Sequence, residues 1–94
     1  MAKIEWTERA LADLQQIHDY IARDSFFYAD SFANKIYMRI QALRSSPEIG
    51  RKVPEMDDPS IRELIFQSYR IIYEIENDMV KIVTIIHGSR VLRY

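Results

Sequence analysis

The stretch IRELIFQSYRIIYEIENDMVKIVTIIH, residues 61–87, decides the fold of this chain. It contains three runs of β-branched and aromatic residues, which two short polar pairs separate, Gln67-Ser68 and Asn77-Asp78. Such runs are typical of β-strands, and two-residue polar breaks are typical of hairpin turns, where Asn and Asp tolerate a positive φ. The stretch therefore predicts a three-stranded antiparallel meander.

The turn at Asn77-Asp78 also predicts a register and so divides the side chains between two faces. The predicted cross-strand pairs on one face are Glu76–Met79, Glu74–Lys81, Ile72–Val83 and Arg70–Ile85. The opposite face carries Tyr69, Ile71, Tyr73 and Ile75 against Val80, Ile82, Thr84 and Ile86. That second face is almost wholly apolar, so we expect it to be buried.

The first face brings Arg70, Glu63 and His87 within side-chain reach of one another in this register. One interpretation is a structural salt bridge between Arg70 and Glu63, with His87 merely ending its strand. The other is an anion or phosphodiester site, because Arg binds phosphate bidentately and His titrates near neutral pH. Both interpretations remain open at this point.

Five apolar side chains surround Arg70 on the same face. They are Ile61, Ile65, Ile72, Val83 and Ile85. An exposed apolar face of this size usually meets a partner, so the face predicts a protein contact.

The remainder of the chain predicts an α+β domain over residues 1–94. Residues 3–6 form a candidate strand that joins the sheet, and helical spacing of apolar residues predicts helices over 8–23 and 26–43. Residues 47–59 contain all three prolines and predict an irregular connection. The expected fold is an N-terminal helical hairpin packed on one face of an antiparallel β-sheet.

Composition excludes several classes of function. The net charge of −1 argues against a protein that grips nucleic acid mainly through phosphates. Two distant histidines and no cysteine predict no metal site, and two glycines provide no phosphate-binding loop, so we expect no cofactor. No apolar run is long enough to span a membrane, which makes a cytoplasmic protein the simplest expectation.

The chain resembles the RelE/ParE superfamily of toxins from bacterial type II toxin–antitoxin modules, and in particular its ParE-like branch. The resemblance covers nearly the whole chain. It rests on Trp6-Thr7, Ala10, Asp13-Leu14, Tyr20-Ile21, Gly50-Arg51-Lys52-Val53-Pro54-Glu55, Ile61-Arg62-Glu63, Tyr69-Arg70-Ile71-Ile72-Tyr73 and Ile86-His87-Gly88-Ser89-Arg90.

The resemblance implies a toxin that a cognate antitoxin neutralises in a hetero-oligomer, in a module of the plasmid-stabilisation type. ParE-like members poison DNA gyrase, whereas RelE-like members are metal-independent endoribonucleases that cleave mRNA on the ribosome. Arg70 matches a position that the nucleases use on the phosphate, and Arg62 falls near one of their lysines. Leu64, however, stands where they place a second lysine. We therefore favour gyrase inhibition over ribosome-dependent cleavage, with a decayed, non-toxic interaction domain as a third alternative.

Each alternative predicts its own site. Nuclease action would use Arg70, His87 and Glu63. Gyrase inhibition needs only a docking surface after the last strand, for which we predict Arg90, Val91, Leu92, Arg93 and Tyr94. The antitoxin is expected on the five apolar residues around Arg70.

Overall fold

A computed structural model describes residues 1–92. Strand β1 (Lys3–Trp6) precedes two helices, α1 (Glu8–Ala22) and α2 (Phe26–Gln41). Two 3₁₀ turns, Ala42–Arg44 and Pro47–Ile49, then lead to the short strand β2 (Arg51–Lys52). The long strands β3 (Ile61–Phe66), β4 (Tyr69–Glu76) and β5 (Met79–His87) follow. Arg93 and Tyr94, two of the predicted docking residues, lie outside the described residues.

Each helix begins at a hydroxyl cap. The Thr7 hydroxyl accepts a hydrogen bond from the Ala10 amide at 3.1 Å, and the Ser25 hydroxyl accepts one from the Tyr28 amide at 3.1 Å. These caps satisfy amides that have no partner within the helix, so they fix where each helix starts. The helical hairpin is thus confirmed, with both helices ending one or two residues earlier than predicted.

The five strands form one sheet in the order β1-β5-β4-β3-β2. The meander β3-β4-β5 is antiparallel, and both two-residue turns are confirmed, with φ of 52° at Gln67 and 54° at Asn77. Strand β1 pairs with β5 in the parallel direction, so the sheet is mixed. The α+β architecture with helices against a sheet is confirmed, and the expectation of a wholly antiparallel sheet is wrong at β1 alone.

A β-bulge in β5 changes the predicted register halfway along the strand. Near the turn the pairs Glu76–Met79 and Glu74–Lys81 are as predicted. Beyond the irregularity, Ile72 is opposite Thr84 and Arg70 is opposite Ile86, where we expected Val83 and Ile85. One extra residue in β5 shifts every later side chain to the other face.

The face under the helices holds the main core. Ile71, Tyr73 and Ile82 are fully buried there with residues of α2, as predicted. The prediction for Ile86 is wrong, because the bulge places Ile85 in this core instead.

The opposite face is not open, and this corrects the predicted antitoxin surface. Its apolar side chains form a second buried cluster, which consists of Val53, Ile61, Ile72, Val83, Ile86 and Leu92, with Met56 packed against it. The connection after β2 and the segment after β5 thus cover the face. Of the five residues proposed to meet a partner, Ile61, Ile72 and Val83 are buried here and Ile85 is buried under the helices. Only Ile65 is exposed, at 46%.

None of the helices in residues 1–92 has the length and apolar character needed to cross a membrane. Within the same residues, no group of three or more His, Asp or Glu side chains is placed to hold a metal ion.

Candidate functional site

Arg70 lies at the centre of a buried ion cluster. Its Nε donates to Glu63 Oε1 at 2.6 Å, and its two Nη atoms donate to the two carboxylate oxygens of Glu55 at 2.8 and 2.7 Å. Arg51 Nε donates to the second oxygen of Glu63 at 2.5 Å. The Arg70 and Glu63 side chains are 7% and 0% exposed. The two arginines therefore balance the charges of the two glutamates, and an unpaired charge on the buried Glu63 or Arg70 would be costly.

The sequence placed Arg70 and Glu63 together, and the structure confirms that pair. Strands β3 and β4 hold it, because Glu63 is opposite Ile72 and so one diagonal step from Arg70. The salt-bridge interpretation is thus the one that the geometry supports.

Electrostatics within the cluster keep both partners of the Arg70–Glu55 pair charged. Hydrogen bonds from Arg70, and then the amide of Leu92, lower the pKa of Glu55 from 4.5 to about 2. The bonds to Glu55, and then those to Glu63, raise the pKa of Arg70 above its ordinary value, against the opposing effect of burial. Arg70 therefore stays a cation that two carboxylates already neutralise.

The same cluster holds the segment after β5. Arg70 Nη1 donates to the carbonyl of Arg90 at 2.9 Å, and Glu55 Oε2 accepts from the amide of Leu92 at 2.8 Å. Leu92 is only 6% exposed because its side chain joins the second core, whereas Arg90 and Val91 are exposed. Of the described docking residues, two are thus accessible to a target and one is buried.

His87 does not join Arg70 and Glu63, so the predicted three-residue constellation is wrong in this part. It is opposite Tyr69, and its ring meets the Tyr69 ring edge-on with centroids 5.6 Å apart. Its Nδ1 lies 2.7 Å from Ser89 Oγ. The bulge in β5 is the reason, because it turns His87 to the face opposite the Arg70 side chain. There His87 lines a cleft of about 220 Å³ beside α1.

Two further residues that bear on the nuclease interpretation have structural roles. Arg62 Nη1 donates to the carbonyl of Gly50 at 3.0 Å, which ties β3 to the turn before β2. Leu64 packs against the main core.

Sequence reasoning missed the roles of Glu55 and Arg51 in the cluster. Both lie in the Gly50–Glu55 stretch that supported the resemblance, but nothing in their spacing relates them to Arg70. Their contacts span 15 and 12 residues and depend on how the irregular connection folds back over the sheet. A carboxylate inside a stretch with family resemblance was the one available signal.

A second surface feature is a groove between α2 and the end of β3. Its volume is about 700 Å³, and its lining includes Phe27, Met38 and Phe66 together with the cations Lys35 and Arg39. Phe27 and Met38 are 75% and 68% exposed. Strand β2 pairs only with Arg62 and Glu63, so within residues 1–92 the neighbouring edge of β3 has no strand beside residues 64–66.

Comparison with solved structures identifies proteins that share this fold. A chain titled as the chromosomal ParDE TA system from P. aeruginosa matches with a TM-score of 0.76, at 22% identity, over 93% of this chain and 96% of that one. A chain of the toxin–antitoxin complex RelBE2 from Mycobacterium tuberculosis matches with a TM-score of 0.65, at 16% identity, over 92% and 96%. The chain therefore shares its fold with these two chains from toxin–antitoxin systems.

Sequence comparison identifies the family. Residues 4–92 match the profile of the ParE toxin of type II toxin–antitoxin systems, parDE. The chain is also 37% identical over 91 residues to the protein named Toxin RelE2 of Caulobacter vibrioides. The aligned region covers 96% of this chain and 99% of that protein. The chain therefore belongs to the ParE toxin family.

Proposed function

We propose that this protein is a ParE-like toxin that acts by docking on DNA gyrase and has no nuclease chemistry. The observation that carries the proposal is the state of Arg70. Its guanidinium is buried and bonded to both Glu55 and Glu63, so it is not available to a phosphate.

Cleavage of a phosphodiester needs a base for the attacking hydroxyl, a cation for the developing charge and an acid for the leaving oxygen. Arg70 would supply the cation, but two carboxylates already neutralise it. Glu63, the candidate base, is bonded to two arginines, and His87 faces away from both. These positions support inhibition by binding over the RelE-like alternative.

A docking toxin needs an accessible surface, and the segment after β5 offers one. Val91 is 66% exposed, and Arg90 lies beside it on the same ordered segment. An exposed apolar side chain next to a cation is a common composition for a protein contact. Membership in the ParE family and the slightly acidic net charge of −1 also favour a protein target over ribosomal RNA.

The proposal is tested by expression in bacteria and by a gyrase assay with the purified toxin. We expect DNA damage, filamentation and gyrase trapped on cut DNA, and we expect His87→Ala to retain toxicity. Val91→Asp should reduce growth arrest and gyrase trapping about ten-fold or more, because it places a charge at the residue that we assign to the centre of the contact, where the largest losses of binding occur. The matched control is Ile49→Asp, a residue of similar exposure at 64% that lies before β2. Arrest of translation with mRNA cut at the ribosome, abolished by His87→Ala, would instead support the nuclease.

We also propose that a cognate antitoxin binds in the groove between α2 and β3. The exposed apolar side chains Phe27 and Met38, with Lys35 and Arg39 beside them, suit a segment of alternating apolar and acidic residues. The edge of β3 beside Ile65, which no strand in the described part of the chain covers, would accept such a segment as an added strand. This surface replaces the predicted face around Arg70, four of whose five residues are buried.

A co-expression experiment tests the antitoxin surface. The product of the neighbouring reading frame should copurify with the toxin and neutralise it, and Met38→Asp should weaken both effects. Tyr20→Asp is the matched control, because Tyr20 is 66% exposed on α1 and lies outside the groove. Equal loss of binding with both variants would contradict the proposed location.

A further inference from the structure

We infer that Glu55 and Arg70 are positioning residues that hold the segment after β5 in the conformation that contacts the target. The inference rests on the proposed function, because it assigns a role to the docking segment. According to this inference, the ion cluster positions the segment after β5 in addition to stabilising the sheet.

Arg90 and Val91 lie beyond the last strand. Before Val91, the amide of Gly88 donates a hydrogen bond to the carbonyl of Ser68 at 2.6 Å, and the amide of Arg90 closes a turn by donating to the carbonyl of His87 at 3.0 Å. A segment outside helices and strands is ordered where hydrogen bonds or buried side chains hold it.

Two bonds from the cluster also hold the segment, one on each side of Val91. Arg70 donates to the carbonyl of Arg90 at 2.9 Å, and Glu55 accepts from the amide of Leu92 at 2.8 Å. Because the backbone on both sides of Val91 is fixed, its side chain is held in an exposed position. The buried side chain of Leu92 adds a third attachment through the second core.

Glu55 is better placed to separate positioning from folding than Arg70. Its side chain is 25% exposed at the rim of the cluster, whereas that of Arg70 is 7% exposed at the centre. When Glu55 is replaced, Arg70 keeps Glu63 as a partner, and Glu63 keeps Arg51. The sheet should therefore remain folded while the segment loses an attachment.

The experiment compares Glu55→Ala, Glu55→Gln and the control Glu48→Ala by hydrogen exchange and by growth arrest. Ala removes the acceptor for the Leu92 amide, so exchange at Leu92 should quicken about ten-fold or more, in line with the loss of a hydrogen bond to a charged group. Toxicity should fall by a similar factor. Gln retains a carbonyl oxygen for that amide and should restore at least half of both losses. Glu48→Ala, whose side chain lies outside the cluster, should change neither.

Two results would overturn the inference. One is unchanged exchange at Leu92 in Glu55→Ala. The other is faster exchange with full toxicity, since the segment would then act without being held.

Growth arrest is the readout because it does not depend on which target is poisoned. A wild-type toxin that arrests growth without trapping gyrase would contradict the proposed function, yet the Glu55 variants would still decide the inference.

Discussion

Replacement of Arg70 by Met should destabilise the fold strongly, because it would leave a buried carboxylate with one partner. Glu63 is 1% exposed, and without Arg70 its remaining partner is Arg51, whose side chain is 60% exposed. Removal of one member of a buried ion pair typically costs about 3–5 kcal/mol. Since Arg51 stays, we expect the low end, about 3 kcal/mol, from a total stability that is typically about 5–15 kcal/mol.

The measurement is the free energy of unfolding from guanidinium titration, together with the midpoint of thermal unfolding by circular dichroism. For a domain of this size, a loss of about 3 kcal/mol lowers the midpoint by roughly 12 °C or more. Arg51→Met is the matched control. It removes an exposed arginine from the same Glu63 and should cost about 0.2–1 kcal/mol.

A double variant identifies the cause of the loss. Glu63→Gln in the Arg70→Met background removes the uncompensated charge, so it should recover about 1–2 kcal/mol even though the neutral amide forms weaker bonds than the carboxylate. If Arg70→Met costs no more than Arg51→Met, Arg70 is not the structural centre of the cluster. That result would restore Arg70 as a candidate for phosphate binding.

Two other changes have expected outcomes. Tyr73→Phe should lower the free energy of unfolding by about 2 kcal/mol, as measured by denaturant titration. The reason is that the buried hydroxyl donates to the carbonyl of Pro47 at 2.7 Å and accepts from the amide of Gly50 at 2.9 Å. Acid should also destabilise the protein, because the folded pKa of Glu55 is lowered: its contribution is complete above about pH 4.5 and is lost as the pH falls towards 2. The loss should be about 1–2 kcal/mol after allowance for solvent screening, and Glu55→Gln should flatten the dependence measured between these pH values.

The local features of the sheet and helices could be read from the sequence. Polar pairs at Gln67-Ser68 and Asn77-Asp78 specified the hairpins because few residues tolerate a positive φ there. Periodicity likewise located the helical hairpin. The pair Arg70–Glu63 followed because β3 and β4 are joined by a two-residue turn and contain no irregularity.

The features that failed depend on tertiary contacts. The bulge near Val83 has no marker in the residues themselves, since Val83, Ile85 and Ile86 are all apolar and suit burial on either face. What permits it is α1: Asp13 accepts from the Thr84 hydroxyl and from the Ile85 amide, the latter at 3.0 Å, where β1 no longer pairs with β5. Val53 and Leu92, which cover the second face, come from segments that have no periodic pattern to reveal their burial.

The parallel pairing of β1 with β5 sets the order in which the protein can be completed during synthesis. Strand β1 is made before the helices, but its partner residues Met79–Ile82 are made after the helices and the other strands. Until β5 is made, the helical hairpin has no completed sheet to cover, and part of its apolar side is open to other contacts. An assembled toxin thus comes into being only when the last strand has been made, which leaves an interval in which a growing chain presents apolar surface but not the finished segment after β5.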